Sequence, residues 1–175
     1  MYDKNEFDDN EFPIAYFITF RTYGTWLHGD QRTSIRRNRR SKTENKVIEP
    51  NVPFEDSMRD EMVEDSLFLD RRQRKEVETA IKELCKARGY TLYAINVRSN
   101  HVHVVVGVAG KPERVADAFK AFATRRLREL NLVASDRKLW SRGRSRKYLW
   151  KPNQVSAAID YVLYCQSDMP FELDD

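Results

Sequence analysis

Two periodicities alternate along this chain. From Ile14 to Tyr23, apolar and β-branched residues run almost unbroken up to Gly24, which predicts a strand. Asp70 then stands where an N-cap belongs, and Val77, Ala80, Ile81, Leu84 and Cys85 recur at helical spacing until Gly89 stops the pattern. Tyr90 to Val97 reads as a second strand. A short link through Ser99 and Asn100 leads into a third, His101 to Val106, so these two strands should pair antiparallel. Pro112 suits the first turn of a second helix, with Val115, Phe119, Phe122 and Leu130 as its apolar stripe. Tyr148-Leu149-Trp150 is a short apolar strand. Pro152 or Asn153 opens a last helix that buries Val155, Ile159, Val162 and Leu163 and ends by Pro170. The order strand, helix, strand, strand, helix, strand, helix predicts an α+β fold: a ferredoxin-like (split βαβ) antiparallel sheet, helices on one face, and an extra C-terminal helix.

The flanks read differently. Residues 1–13 are acidic and polar and are expected to be disordered, leaving a single domain over 14–170. Within it, 31–69 is an insertion, basic first and acidic later. No periodicity is sustained from Gln31 to Asp65, and Pro50 and Pro53 are expected to break any helix there.

Composition narrows the class. The chain has 175 residues, 41% hydrophobic and 33% charged, enough for one domain with a core. No apolar run reaches the ~20 residues of a membrane span, and the acidic N-terminus does not fit a signal peptide. Cys85 and Cys165 sit in apolar helical patterns and read as reduced core residues of a cytoplasmic protein. The net charge of +4 is unevenly spread: Lys and Arg crowd Arg32–Lys46 and Arg137–Lys147, while Asp and Glu crowd the first eleven residues and Glu55–Asp70. Separate basic clusters point to a polyanion, most often nucleic acid.

The third strand carries the candidate chemistry. Side chains alternate faces along a strand, so His101, His103 and Val105 share one face and Val102, Val104 and Val106 the other. The two imidazoles, with Cα atoms roughly 7 Å apart, can chelate one metal ion. Two solvated histidines would give the same pattern.

Further stretches give the pair a context: Phe20-Arg21-Thr22-Tyr23-Gly24-Thr25-Trp26-Leu27, Asn100-His101-Val102-His103-Val104-Val105, Lys120-Ala121-Phe122-Ala123-Thr124-Arg125-Arg126-Leu127, Trp140-Ser141-Arg142-Gly143, Tyr148-Leu149-Trp150 and Ile159-Asp160-Tyr161-Val162. In this order the chain resembles the single-tyrosine HUH transposases, and among them the REP-associated, RayT-like group. The resemblance implies a metal-dependent, site-specific single-stranded DNA endonuclease and strand transferase. His101 and His103 would hold Mg²⁺ or Mn²⁺. Tyr161, on the last helix, would attack a phosphodiester beside a DNA hairpin, giving a 5′-phosphotyrosine and a free 3′-OH. Several such proteins act as dimers, so a homodimer is allowed for, and the location would be cytoplasmic and nucleoid-associated.

One position departs from the pattern. Relatives place an Asn or Gln one turn after the tyrosine as a third metal ligand, and here that place holds Cys165. Gln166 is the preferred third ligand and Asp168 the other candidate; a thiol suits Mg²⁺ poorly. Tyr164 is a second, lower-ranked nucleophile. Arg21, Arg36, Arg37, Arg39, Arg40, Lys120, Arg125, Arg126, Arg142, Arg144, Arg146 and Lys147 are the expected DNA contacts, with Trp26, Trp140 and Trp150 available to stack on bases. Small neighbours at Ala157 and Ala158 would leave room for a DNA backbone. Two rival readings use the same residues: a non-catalytic single-stranded nucleic-acid binder, and a metal-dependent hydrolase whose nucleophile is water.

Overall fold

A computed structural model describes residues 11–28, 34–37 and 45–165, without the side chains of 34–37, 45 and 46. The elements in order are β1 (Ala15–Thr22), β2 (Ser34–Arg37), β3 (Asn45–Ile48), α1 (Val52–Asp60), α2 (Arg71–Arg88), β4 (Thr91–Val97), β5 (His101–Gly107), α3 (Pro112–Glu129), β6 (Trp140–Leu149) and α4 (Pro152–Tyr164). The chain divides into two compact units, one of Tyr23–Leu67 and one of the segments on either side of it.

The larger unit has a four-stranded sheet in the order β4-β5-β1-β6, all neighbours antiparallel. With helix crossovers from β1 to β4 and from β5 to β6, this is the expected split βαβ topology. Tyr16, Ile18 and Phe20 of β1 and Val102, Val104 and Val106 of β5 are buried on the face covered by α2 and α3. Val77, Ile81 and Leu84 of α2 and Val115, Phe119 and Leu127 of α3 complete this core. Each such side chain contributes about 1.5–3 kcal/mol by burial. Helix α4 lies on the opposite face, where Val155, Ala158 and Val162 pack on Ala15, Ala94, Val105 and Leu149.

Local signals set α2. Asp70 accepts from the Gln73 N–H at 2.7 Å, and the Gln73 side chain accepts from the Asp70 N–H at 2.9 Å, a reciprocal capping box. Gly89 ends the helix at φ 67°, a left-handed conformation that glycine adopts without a Cβ clash.

Four expectations need correction. The last strand runs over ten residues, not three; its charged sequence hid it because β6 is an edge strand whose Arg144 and Arg146 pair with Asp117 and Glu113 of α3. Val52–Asp60 is helical despite Pro53, which sits in the first turn where a missing N–H costs nothing, behind the Asn51 cap. On α3, Phe122 is only half-buried and Leu130 is exposed; Ala116 and Ala123 take the inner positions. Cys85 is buried, but Cys165, the C-cap of α4, is exposed.

The smaller unit pairs β2 with β3 antiparallel and carries α1. Tyr23 and Gly24 hold its end through Leu67 N–H to Tyr23 C=O and Ser66 Oγ to Gly24 C=O. Among the described residues, no helix is long and apolar enough to cross a membrane.

Candidate active site

Strand register arranges the sheet face beneath α4 in rows. Antiparallel partners share a face. Arg21 of β1 therefore lies beside His101. The Arg98 N–H donates to the His101 carbonyl from the other side, at 2.8 Å. The next row is Asn96, His103, Thr19 and Ser145, and the third is Ala94, Val105, Phe17 and Lys147. The upper rows are polar and the lower ones apolar, so α4 seats on the apolar end and overhangs the histidines.

The two imidazole centroids are 4.5 Å apart, their planes at 71°. Asn100 Oδ1 lies 2.6 Å from His101 Nδ1, and Thr19 Oγ1 lies 2.8 Å from His103 Nδ1. Nδ1 is thus engaged on both rings. His103 is buried, and its pKa is lowered to about 3, first by burial and then by His101, Arg98 and Arg21. It is therefore neutral at physiological pH, as a metal ligand must be.

These residues fit half a metal site. Bonds of about 2.1 Å at right angles would set two ring centres about 4.5–5 Å apart, which is the separation observed. Among the described residues no group of three or more His, Cys, Asp or Glu forms a fuller set. Gln166 and Asp168 lie outside the described residues.

Tyr161 reaches the histidines from α4. Its ring centroid is 5.8 Å from that of His103 and 5.8 Å from that of Phe17, edge-on to both. Phe17 also touches His103, at 5.5 Å, so the three rings form one cluster. Tyr161 is 44% exposed, a phenol standing at the surface above a buried imidazole. Tyr164 is more exposed and ends the helix. Ala157 is exposed beside the tyrosine, whereas Ala158 is buried against the sheet and opens no room for DNA.

Strand parity sorts the expected DNA contacts. Arg21 and the exposed Lys147 share the histidine face, and the Lys147 ammonium lies 6.0 Å from the Phe17 ring centre. Arg144 and Arg146 pair with Phe20 and Ile18 and so face α3. There Arg144 meets Asp117 at 2.5 Å and Arg146 meets Glu113 at 2.7 Å. Arg126 ties α3 to α2 through Glu76 and Glu83, and its pKa is raised chiefly by the Glu76 hydrogen bond. Arg125 lies over the Phe122 ring, and Arg142 is exposed on β6.

Lys120 is buried. Its ammonium donates to the Ser141 and Gly143 carbonyls, at 2.8 and 3.1 Å, and its pKa falls to about 8, mainly through burial. It holds β6 on α3 instead of facing solvent. Trp140 is likewise structural: it stands edge-on to Phe20 and donates Nε1–H to the Lys120 carbonyl and Thr124. Arg36 and Arg37 lie on β2 with side chains outside the described set; Arg39 and Arg40 lie outside it altogether.

Sequence reasoning missed two residues near the rings, Arg98 and Asn96. Arg98 ends the β4 pattern one residue before the turn. Asn96 is a lone polar residue in the buried run Ala94-Ile95-Asn96-Val97, which is itself a signal.

The sheet order and its covering helices define the class, an α+β domain of split βαβ topology. Residues 64–160 match the family model described as "Transposase IS200 like", and the chain belongs to that family. The match includes both histidines and stops one residue before Tyr161. No curated protein matches the chain in sequence. Among solved structures, it is similar to a REP-associated tyrosine transposase bound to a REP hairpin, at 14% identity and TM-score 0.47. That alignment covers 85% of this chain and 63% of the other, so the chain spans less than two thirds of that relative's length. It is also similar to a protein from Deinococcus radiodurans R1 described as a candidate transposase, at 12% identity and TM-score 0.46, covering 90% and 92% of the two chains.

Proposed function

We propose that this chain is a metal-dependent, site-specific single-stranded DNA nicking and joining enzyme of the REP-associated tyrosine transposase type, acting beside DNA hairpins. The observation that carries the reading is the ring cluster: a surface phenol within 5.8 Å of a buried neutral imidazole that is itself paired with a second imidazole. A free tyrosine, with a pKa of about 10, is mostly protonated and weakly nucleophilic at neutral pH. Positioning it against a bound phosphodiester supplies much of the missing reactivity.

His101 and His103 would hold Mg²⁺ or Mn²⁺, with Gln166 as the proposed third ligand, and such an ion would supply charge compensation at the scissile phosphate. Tyr161 Oη attacks phosphorus, forming the O–P bond as the bond to the 3′-oxygen breaks. The phenolic proton leaves to solvent, and the 3′-oxygen departs as a hydroxyl by taking up a proton. Arg21, Arg98 and Lys147 surround the rings on the same sheet face and bind the flanking phosphates. Arg36, Arg37, Arg39 and Arg40 grip a hairpin stem.

A suicide substrate tests the reading. Hairpin oligonucleotides copied from inverted repeats flanking the gene, with a short 5′ segment that diffuses away after cleavage, should leave a covalent adduct on Tyr161 in the presence of Mn²⁺. Tyr161→Phe should abolish the adduct. Cleavage that survives this substitution would instead identify a water nucleophile, and binding without cleavage would identify a non-catalytic binder.

A further inference from the structure

We infer that Asn96 is a positioning residue for the tyrosine helix. Its side-chain amide donates to the Val162 carbonyl at 3.0 Å, in a fully buried hydrogen bond that joins β4 to α4 sixty-six residues apart. Three observations converge on this bond. Asn96 is 2% exposed and stands beside His103 in the strand register, so the clamp starts in the histidine row itself. Val162 directly follows Tyr161, so the clamp ends on the backbone that carries the phenol. The hydrophobic cluster around this bond is apolar packing, with Val155, Ala158 and Val162 of α4 against Ala15, Ala94, Val105 and Leu149.

Apolar packing of that kind is non-directional and tolerates sliding. A buried hydrogen bond to one particular carbonyl does not, because losing it strands a polar group away from water. The bond also meets a need of the helix. The last four carbonyls of any helix lack intrahelical partners, and α4 ends at Tyr164. Asn96 supplies a donor to one of these carbonyls. The sheet thus sets the height and rotation of the final turn of α4, and with them the gap between Tyr161 and His103. An aliphatic residue at position 96 would pack the same face without setting either quantity.

The inference rests on the proposed role of Tyr161, and the test separates the two. The full chain is compared as wild type, Asn96→Asp and Asn96→Ala. The measurements are single-turnover adduct formation on the suicide hairpin with Mn²⁺, affinity for the uncleaved hairpin, and the ring-to-ring nuclear Overhauser contact between Tyr161 and His103 without DNA. Asn96→Asp keeps the shape but presents an acceptor to an acceptor. Asn96→Ala removes the donor without burying a charge, and it decides alone if the aspartate variant loses cooperative unfolding. A displacement near 1 Å costs up to about 100-fold in rate, so a 10- to 100-fold loss of adduct rate is expected. Hairpin affinity should stay within about threefold and the ring contact should weaken. A folded variant with the wild-type rate and ring contact overturns the inference, as does a loss of rate matched by an equal loss of hairpin affinity. If wild type forms no adduct, the proposed function falls, and the ring contact alone then decides whether Asn96 positions the helix.

Discussion

The buried imidazole of His103 should make this protein unusually sensitive to mild acid in the absence of metal. Its folded-state pKa is lowered from 6.5 to about 3, first by burial and then by the charges of His101, Arg98 and Arg21. Between those values the unfolded chain binds a proton that the folded chain refuses. Stability contributed by the neutral ring is therefore intact above pH 6.5 and is lost as pH falls toward 3. At pH 5 an unfolded histidine is about 97% protonated, and the linkage amounts to about 2 kcal/mol, against about 0.2 kcal/mol at pH 7. The difference, about 1.9 kcal/mol, barely depends on whether the folded value is 3 or 4. The ring is only 7% exposed, so solvent screening leaves most of it. Urea denaturation in the presence of a chelator, at pH 7 and pH 5, measures the loss for wild type and for His103→Gln. Every other titrating group contributes to both proteins, so wild type should lose about 1.5–2 kcal/mol more than the variant. Equal losses would show that the folded protein protonates His103 at little cost, and the argument for a neutral, ligand-ready ring would go with it.

Other expectations follow from the same structure. Phe119→Ala empties a fully buried position between α3 and the sheet and should cost about 3–5 kcal/mol in chemical denaturation. Asp70→Ala removes the side-chain acceptor for the Gln73 N–H and leaves the backbone arm of the capping box on α2 in place; it should cost about 1 kcal/mol. Lys147→Ala should flatten the plot of log affinity against log salt for single-stranded DNA by about 0.7, whereas Arg144→Ala, whose guanidinium is turned to Asp117, should leave the slope unchanged. Replacing Arg36, Arg37, Arg39 and Arg40 together with Ala should flatten the same plot for hairpin DNA, and an unaltered slope would remove them from the interface.

Much of the fold could be read from short-range signals. The Asp70 cap, the Gly89 stop and the β5 alternation each act within a few residues, and the structure places them as expected. The histidine pair was legible for the same reason, since alternation alone puts His101 and His103 on one face. Three features were not legible, each because its cause is distant in sequence. The charged strand β6 looks like a loop until Asp117 and Glu113 on α3 are seen to take its arginines. Lys120 looks like a DNA contact until the Ser141 and Gly143 carbonyls surround its ammonium. The role of Asn96 depends on a register with β5 and a contact with α4, neither of which the local pattern specifies.

The two-sidedness of β6 has an evolutionary consequence. Odd-numbered positions such as Ser145 and Lys147 are exposed on one side of the sheet, while Arg144 and Arg146 form ion pairs with a neighbouring helix on the other. Substitution on the exposed side can thus change that surface, one residue at a time, without loosening the scaffold. A one-residue insertion or deletion in this strand has the opposite effect: it swaps the two sets and breaks the ion pairs with the helix. Lineages descended from such a protein should keep the strand's length fixed even where its exposed residues vary.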